Sequence, residues 1–206
     1  MGRSSNTDER RQQIVHGLAQ VIATHGYDGA SVAEVARTVG LAPGLVHYHF
    51  KNKQEILLSL LESLGETLRT RVADHLAAAG AEPVARLHAF IDAHLAVDSS
   101  ADPRLVACWT AVTAEAVRQE AVRAAYRKVV EEDLGVLEQL AKDCLSATGA
   151  STRSARTIAA GLFAAIEGYF VLASALPDAI PPGSAARSTR LMADGLLGPG
   201  RVVSKG

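Results

Sequence analysis

The chain is poor in the residues that hold strand-rich and secreted proteins together. Aromatics make up 4% of its 206 residues, cysteine occurs twice and tryptophan once. With so few aromatics, no sustained period-2 alternation and no Asn-Gly hairpin dipeptide, an extensive β-sheet is excluded. Cys108 and Cys144 form no CxxC pair, which excludes a zinc ribbon or a disulfide framework and fits a reducing compartment. Both are expected in the core. The opening MGRSSNTDERRQQ lacks the apolar stretch of a secretory leader, and Asn6 stands where a myristoylation signal takes Ser or Thr. The expected location is therefore cytoplasmic. Neither sign of charge dominates: the formal net charge of −1 excludes a polycation. Residues 1–53 nevertheless carry six Lys or Arg against four Asp or Glu, and four of the seven histidines. Catalytic signatures are missing too, with no GxxxxGK[ST] loop, GxSxG elbow or HExxH. His88, His94 and Cys108 lack the spacing of a metal set. The expectation is a protein that is not an enzyme and needs no cofactor or metal.

Helical spacing and helix boundaries, in contrast, are abundant. Ile14, Leu18, Val21 and Ile22 form one apolar stripe, and Val32, Val35, Ala36 and Val39 form another at i, i+3, i+4 and i+7. Ser31 stands three residues before Glu34 and Asn52 three before Glu55, so helices are expected to start at those caps. Gly26 to Gly29, Gly40 and Gly80 are expected to close helices. Pro83 and Pro103 suit first turns. ATGAST and LPDAIPPGSA are expected to separate the last helices. The predicted fold is all-α with nine helices. The stretch TIAAGLFAAIEGYFVLASAL, residues 157–176, has the length of a membrane span but carries Glu167 at its centre and many small residues, so it is expected to be a buried helix of a soluble protein. The fourth helix, about residues 52–79, is long enough to act as a lever between two domains.

Residues 31–50 read as a helix, a tight turn at Gly40 and Leu41, and a second short helix opening near Pro43, the outline of a helix-turn-helix. An ordinary helical hairpin would share that outline, so the exposed side chains decide. With Leu41, Val46 and Phe50 turned inward against the Val32, Val35 and Val39 stripe, Ala42, Pro43, Gly44, Leu45, His47, Tyr48 and His49 lie near the outer surface. Small residues at the start of such a helix let its backbone approach base edges and phosphates. Gly44 inside a helix costs roughly 0.8–1.0 kcal/mol relative to alanine, which points to a reason beyond folding. His47 and Tyr48 can hydrogen-bond phosphate oxygens, and Lys53 adds a charge.

Here SVAEVARTVGLAPGLVHYHFKNKQEILL resembles the DNA-binding signature of the TetR family of bacterial regulators. That signature runs Thr-hydrophobic-x-x-Ile-Ala, then Gly-Val-Ser-x-Gly-x-hydrophobic-Tyr-x-His-Phe-x-x-Lys. The resemblance covers about residues 8–60 and implies that Ser31, Ala33, Pro43, Gly44, Leu45, His47, Tyr48 and Lys53 face DNA while Val35, Ala36, Val46 and Phe50 are core. It departs at His47, where tyrosine is usual and Tyr48 follows one place later, and at Ala42, where serine is usual. The domains expected are residues 1–53 for DNA binding, with the motif at about 31–50, and residues 54–206 for ligand binding and dimerisation.

The run from Trp109 to Tyr126 and the phrase AAIEGYFVLA are similar to the choline-sensing BetI type within that family. In the eighth helix Gly161, Ala164, Ala165, Gly168, Leu172 and Ala175 give a narrow small-residue face suited to packing against a second copy, with Phe163, Ile166, Phe170 and Ala173 on a bulkier one. The resemblance pairs this helix, and a ninth near Leu191 to Leu197, with their twins in a homodimer. Phe90, His94, Trp109, Thr113, Glu115, Tyr126, Phe163 and Glu167 are candidate ligand contacts, because they put aromatic or polar groups on apolar helices. Trp and Tyr beside an acid suit an alkylammonium. The function expected is a ligand-responsive repressor released from a palindromic double-stranded DNA operator by a small molecule, with a ligand-free helical adaptor or an all-helical enzyme as the alternatives.

Overall fold

The computed structural model of the chain describes residues 2–95 and 103–198. Among them nine α-helices follow one another: α1 (Gly2–Gly29), α2 (Val32–Thr38), α3 (Pro43–His49), α4 (Lys53–Ala78), α5 (Pro83–Leu95), α6 (Pro103–Arg118), α7 (Glu120–Ala147), α8 (Ala155–Ala175) and α9 (Ser184–Leu197). The all-helical expectation holds. Its caps hold as well: Ser31 Oγ accepts the Glu34 N–H at 3.1 Å, and Asn52 Oδ1 accepts that of Glu55 at 2.9 Å. Each side chain satisfies a first-turn N–H that the helix itself leaves unpaired. Gly40 ends α2 at φ 68°, a left-handed conformation that a side chain disfavours. The first helix breaks at Gly26, at φ 69° and ψ 171°, and ends at Gly29, the stretch expected to close it.

Two compact units result. The first comprises residues 1–66 with 101–128, and the second residues 67–100 with 129–206. In the first, α1 packs against α2, α3 and α6. Ile14, Leu18, Val35, Ala36, Val46, Phe50, Ile56, Leu57, Cys108 and Val112 are buried there. Each large apolar side chain so buried contributes about 1.5–3 kcal/mol. In the second unit, α5, α8 and α9 pack together around Leu87, Phe90, Ile91, Leu137, Leu162 and Ile166, and Cys144 is buried in the same core. Burial, with Glu82, Asp143 and Asp194 nearby, pushes the Cys144 thiol up to about 11, so it stays protonated and unreactive. Arg190 to Asp92 at 2.6 Å and His88 to Asp194 at 2.7 Å tie α9 to α5 at the rim.

The apolar α8 is long enough to cross a membrane by composition, yet only 28% of that stretch is buried. Ala155, Ile158, Ala159, Leu162, Phe163 and Ile166 face the core, while Val171 and Leu172 near the helix end, with Leu176 just past it, stand exposed. A helix apolar all round buries only the side its own unit covers.

Within the first unit α1 lies close to the end of α2 at Gly17, where an added Cβ would overlap Val39 Cγ1 and lie 3.4 Å from Val35 Cγ1. Alanine in mid-helix ordinarily stabilises, but here it overpacks two stiff valines. Gly17→Ala is expected to lower unfolding stability by about 1–3 kcal/mol, read by thermal or urea denaturation.

Candidate nucleic-acid interface

The motif is built on α2 and α3, with α1 behind them. Val46, in mid-α3, and Phe50, which caps it, are 0% and 1% exposed, so one side of the helix is spent on the core. The opposite side carries Ala42, Pro43, Gly44, Leu45, His47 and Tyr48, all exposed, Tyr48 at 80%. Pro43 occupies the first helical position and Ala42 supplies no side-chain cap. Nothing lies within 4 Å of where a Gly44 Cβ would project, so that glycine is not required by packing inside the protein. From α2, Ser31 and Ala33 are exposed as well, Ser31 while capping its helix.

Two expected members sit differently. His49 is half-buried, its ring edge-on to Tyr48 at 5.1 Å. Lys53 is also half-buried, and its Nζ donates to the Tyr27 carbonyl at 2.7 Å with the Tyr27 ring centroid 4.1 Å away. An ammonium has three N–H donors, so two remain for other acceptors.

Motif reading missed the side chains that brace α3 from behind. Arg11 donates to the His49 carbonyl at 2.6 Å and to Ser59 Oγ at 3.3 Å, and its guanidinium stands 4.1 Å from the Phe50 ring centroid. One cation thereby joins α1, the end of α3 and α4, at the helix end where positive charge is favoured. Gln13 does likewise for α2, donating to the Val39 carbonyl at 3.0 Å. Arg11 shares a helical face with Ile14 and Leu18, and a polar residue continuing an apolar stripe is the signal that would have found it.

Of the ligand candidates, Trp109, Thr113, Glu115 and Tyr126 fall in the first unit, and Phe90, His94, Phe163 and Glu167 in the second. The Trp109 and Tyr126 rings lie 6.4 Å apart at 56°, both half-buried. Glu115 does not serve as the acid beside them, because its carboxylate is buried and engaged by Arg118 at 2.9 Å and by the Gln119 amide. Thr113 is turned to the Trp109 carbonyl of its own helix at 3.0 Å. Phe90 and Phe163 flank the buried His94 ring at 4.4 and 6.4 Å between centroids. His94 Nε2 reaches Asp133, also buried and missed from sequence, at 3.4 Å. Glu167 is half-buried.

For the expected pairing face, Gly161, Ala164, Leu172 and Ala175 are exposed and Ala165 and Gly168 half-buried. Leu191 is 62% exposed, but Leu197 belongs to the core of its own unit and is withdrawn from that face. The reason is spacing: Ala186, Thr189, Ala193 and Leu197 form the inward side of α9, leaving Leu191, Met192 and Leu196 outside.

The geometry finds close counterparts among known proteins. Residues 14–60 match the family model for bacterial regulatory proteins of the tetR family, and residues 83–198 match that for the C-terminal part of BetI-type transcriptional repressors. The HTH-type transcriptional regulator BetI of Rhizobium meliloti is 36% identical over 114 residues, 55% of each chain. The aligned part thus spans about half the length of that curated relative. A transcriptional regulator from Rhodococcus superposes with a TM-score of 0.79 at 26% identity, covering 91% of this chain and 95% of its own. A transcriptional regulator from Saccharomonospora viridis, solved in complex with choline, gives a TM-score of 0.77 at 20% identity over 92% and 96% of the two chains.

Removing the brace tests its role. Arg11→Met is expected to speed amide hydrogen exchange at Phe50, whose N–H bonds the Val46 carbonyl at 2.9 Å, while exchange in the second unit stays unchanged. The local effect should be about tenfold, the scale of a hydrogen bond to a charged group.

Proposed function

The chain belongs to the TetR family of bacterial regulatory proteins, its C-terminal part of the BetI type, and on that premise we propose that it is a transcriptional repressor that releases its operator when a small molecule binds. The family is one of regulators, not enzymes. One observation carries the DNA-binding half: a core-seated α3 whose outward side begins with Ala42, Pro43 and Gly44 and continues into the exposed His47 and Tyr48. The small residues admit the backbone to base edges, and the rings and nearby lysines meet the phosphates. Residues 31–50 act as the reading motif, and Ser31 and Ala33 on α2 flank it. His49 and Lys53 contribute from half-buried positions.

The repressor acts in the cytoplasm as a homodimer. Val171, Leu172, Leu176, Leu191, Met192 and Leu196 leave much apolar surface on the α8 and α9 side, and Gly161, Ala164 and Gly168 permit close approach of a second copy. A two-fold dimer presents two α3 helices to a palindromic operator. The effector is bound in the C-terminal part, where choline is the first compound to try, because it occupies the Saccharomonospora structure and suits the half-buried Trp109 and Tyr126 pair. Coupling requires only that effector and operator favour different conformations.

Titrating purified protein with DNA from upstream of its own gene tests the reading. Binding is expected to be sequence-preferring and salt-steep, with Tyr48→Ala weakening it about tenfold at unchanged melting temperature. Gly44→Ala should hold or raise stability while weakening DNA binding, since its methyl obstructs only the DNA. Binding indifferent to sequence, and to both variants, overturns the proposal. Separately, Leu191→Glu is expected to shift the protein from dimer to monomer in light scattering without loss of helical circular dichroism.

A further inference from the structure

Tyr27 lies outside the motif, yet three elements meet on it within the first unit. The break at Gly26, φ 69°, turns the chain so that the Tyr27 ring is only 8% exposed. Its carbonyl accepts the Lys53 ammonium at 2.7 Å and its ring stands beneath that same ammonium. On the other side, the Gln119 side chain, at the junction of α6 and α7, lies near the Tyr27 hydroxyl. Gln119 also holds Glu115, which pairs with Arg118 at 2.9 Å, and Arg118 lies 3.9 Å from Asp28, next in chain to Tyr27. A closed set of contacts therefore runs from the end of α6 through Tyr27 to the start of α4. Burial, with Glu115 and Asp28 nearby, raises the Tyr27 hydroxyl above its ordinary value, so it remains neutral.

We propose that Tyr27 is a positioning residue for DNA binding: its carbonyl and ring hold the Lys53 ammonium in place at the start of α4, and its hydroxyl braces that arrangement against the end of α6. The proposal rests on the DNA-binding reading above. A lysine carries a compact charge on a flexible stem and ordinarily loses much rotamer freedom when it meets a phosphate. Here a carbonyl takes one of its three donors and an aromatic face fixes its direction, so the remaining two are set before DNA arrives. A change at the end of α6 that shifts Gln119 or Glu115 reaches Lys53 through one side chain.

The test is a double-mutant cycle on operator affinity at several salt concentrations, with melting temperatures recorded for every variant. Lys53→Met is expected to reduce the slope of log affinity against log salt by about one. Tyr27→Leu should weaken binding about five- to tenfold with Lys53 present and less than about twofold in the Lys53→Met background, with Tyr27→Phe falling between wild type and Tyr27→Leu. A purely structural role gives equal losses in both backgrounds and overturns the proposal. An unchanged salt slope in Lys53→Met, with wild type still binding, overturns it too while leaving the repressor reading intact. Wild-type protein that ignores its operator overturns the repressor reading and this inference together.

Discussion

The contact on which the reading head depends is the one at Gly17. Because α1 has no side chain there, Val35 of α2 and Val39, which caps that helix, press against its backbone. The turn at Gly40 then leaves α3 little choice of direction, with the Leu41 N–H bonded to the Ala36 carbonyl at 2.9 Å. Val46 and Phe50 complete the seat from the other side. Close packing of this kind has few alternative arrangements, so the outward face of α3 is presented as a rigid surface.

Around that seat, polar side chains of α1 finish what packing begins. Arg11 and Gln13 bond the carbonyls at the ends of α3 and α2, where the last turns leave acceptors unpaired. Short helices have little stability of their own, and α2 and α3 have seven residues each. Their order comes from the longer helix behind them. The face that results combines an unobstructed backbone at Gly44 with exposed rings at His47 and Tyr48, a surface suited to a polyanion whose bases must be approached closely.

Much of this was legible in the residues. Caps at Ser31 and Asn52, prolines opening α5 and α6 and the apolar stripes of α1 and α2 act locally, so their spacing reveals them. What stayed hidden depends on partners distant in sequence. Arg11 meets His49 and Ser59, and Lys53 meets Tyr27. Glu115 is a local case: Arg118, one turn along the same helix, pairs with it and draws it from the cation site that Trp109 and Tyr126 suggested. Leu197 was misplaced for a related reason: α9 is apolar on more than one side, and only packing tells inner from outer. The packing of α6, far along the chain, on α1 is likewise invisible to local spacing.

Two apolar surfaces left uncovered by the chain itself, on α8 and on α9, support the proposed homodimer, whose two-fold symmetry would match a palindrome. Its central claim, that α3 is the reading helix of such a dimer, is tested most directly by hydroxyl-radical footprinting of the bound operator. The account predicts two symmetric protected patches whose centres lie about 34 Å or a multiple of that apart on one face of the duplex, both lost together in Tyr48→Ala. A single patch, or protection that survives that substitution, would contradict it.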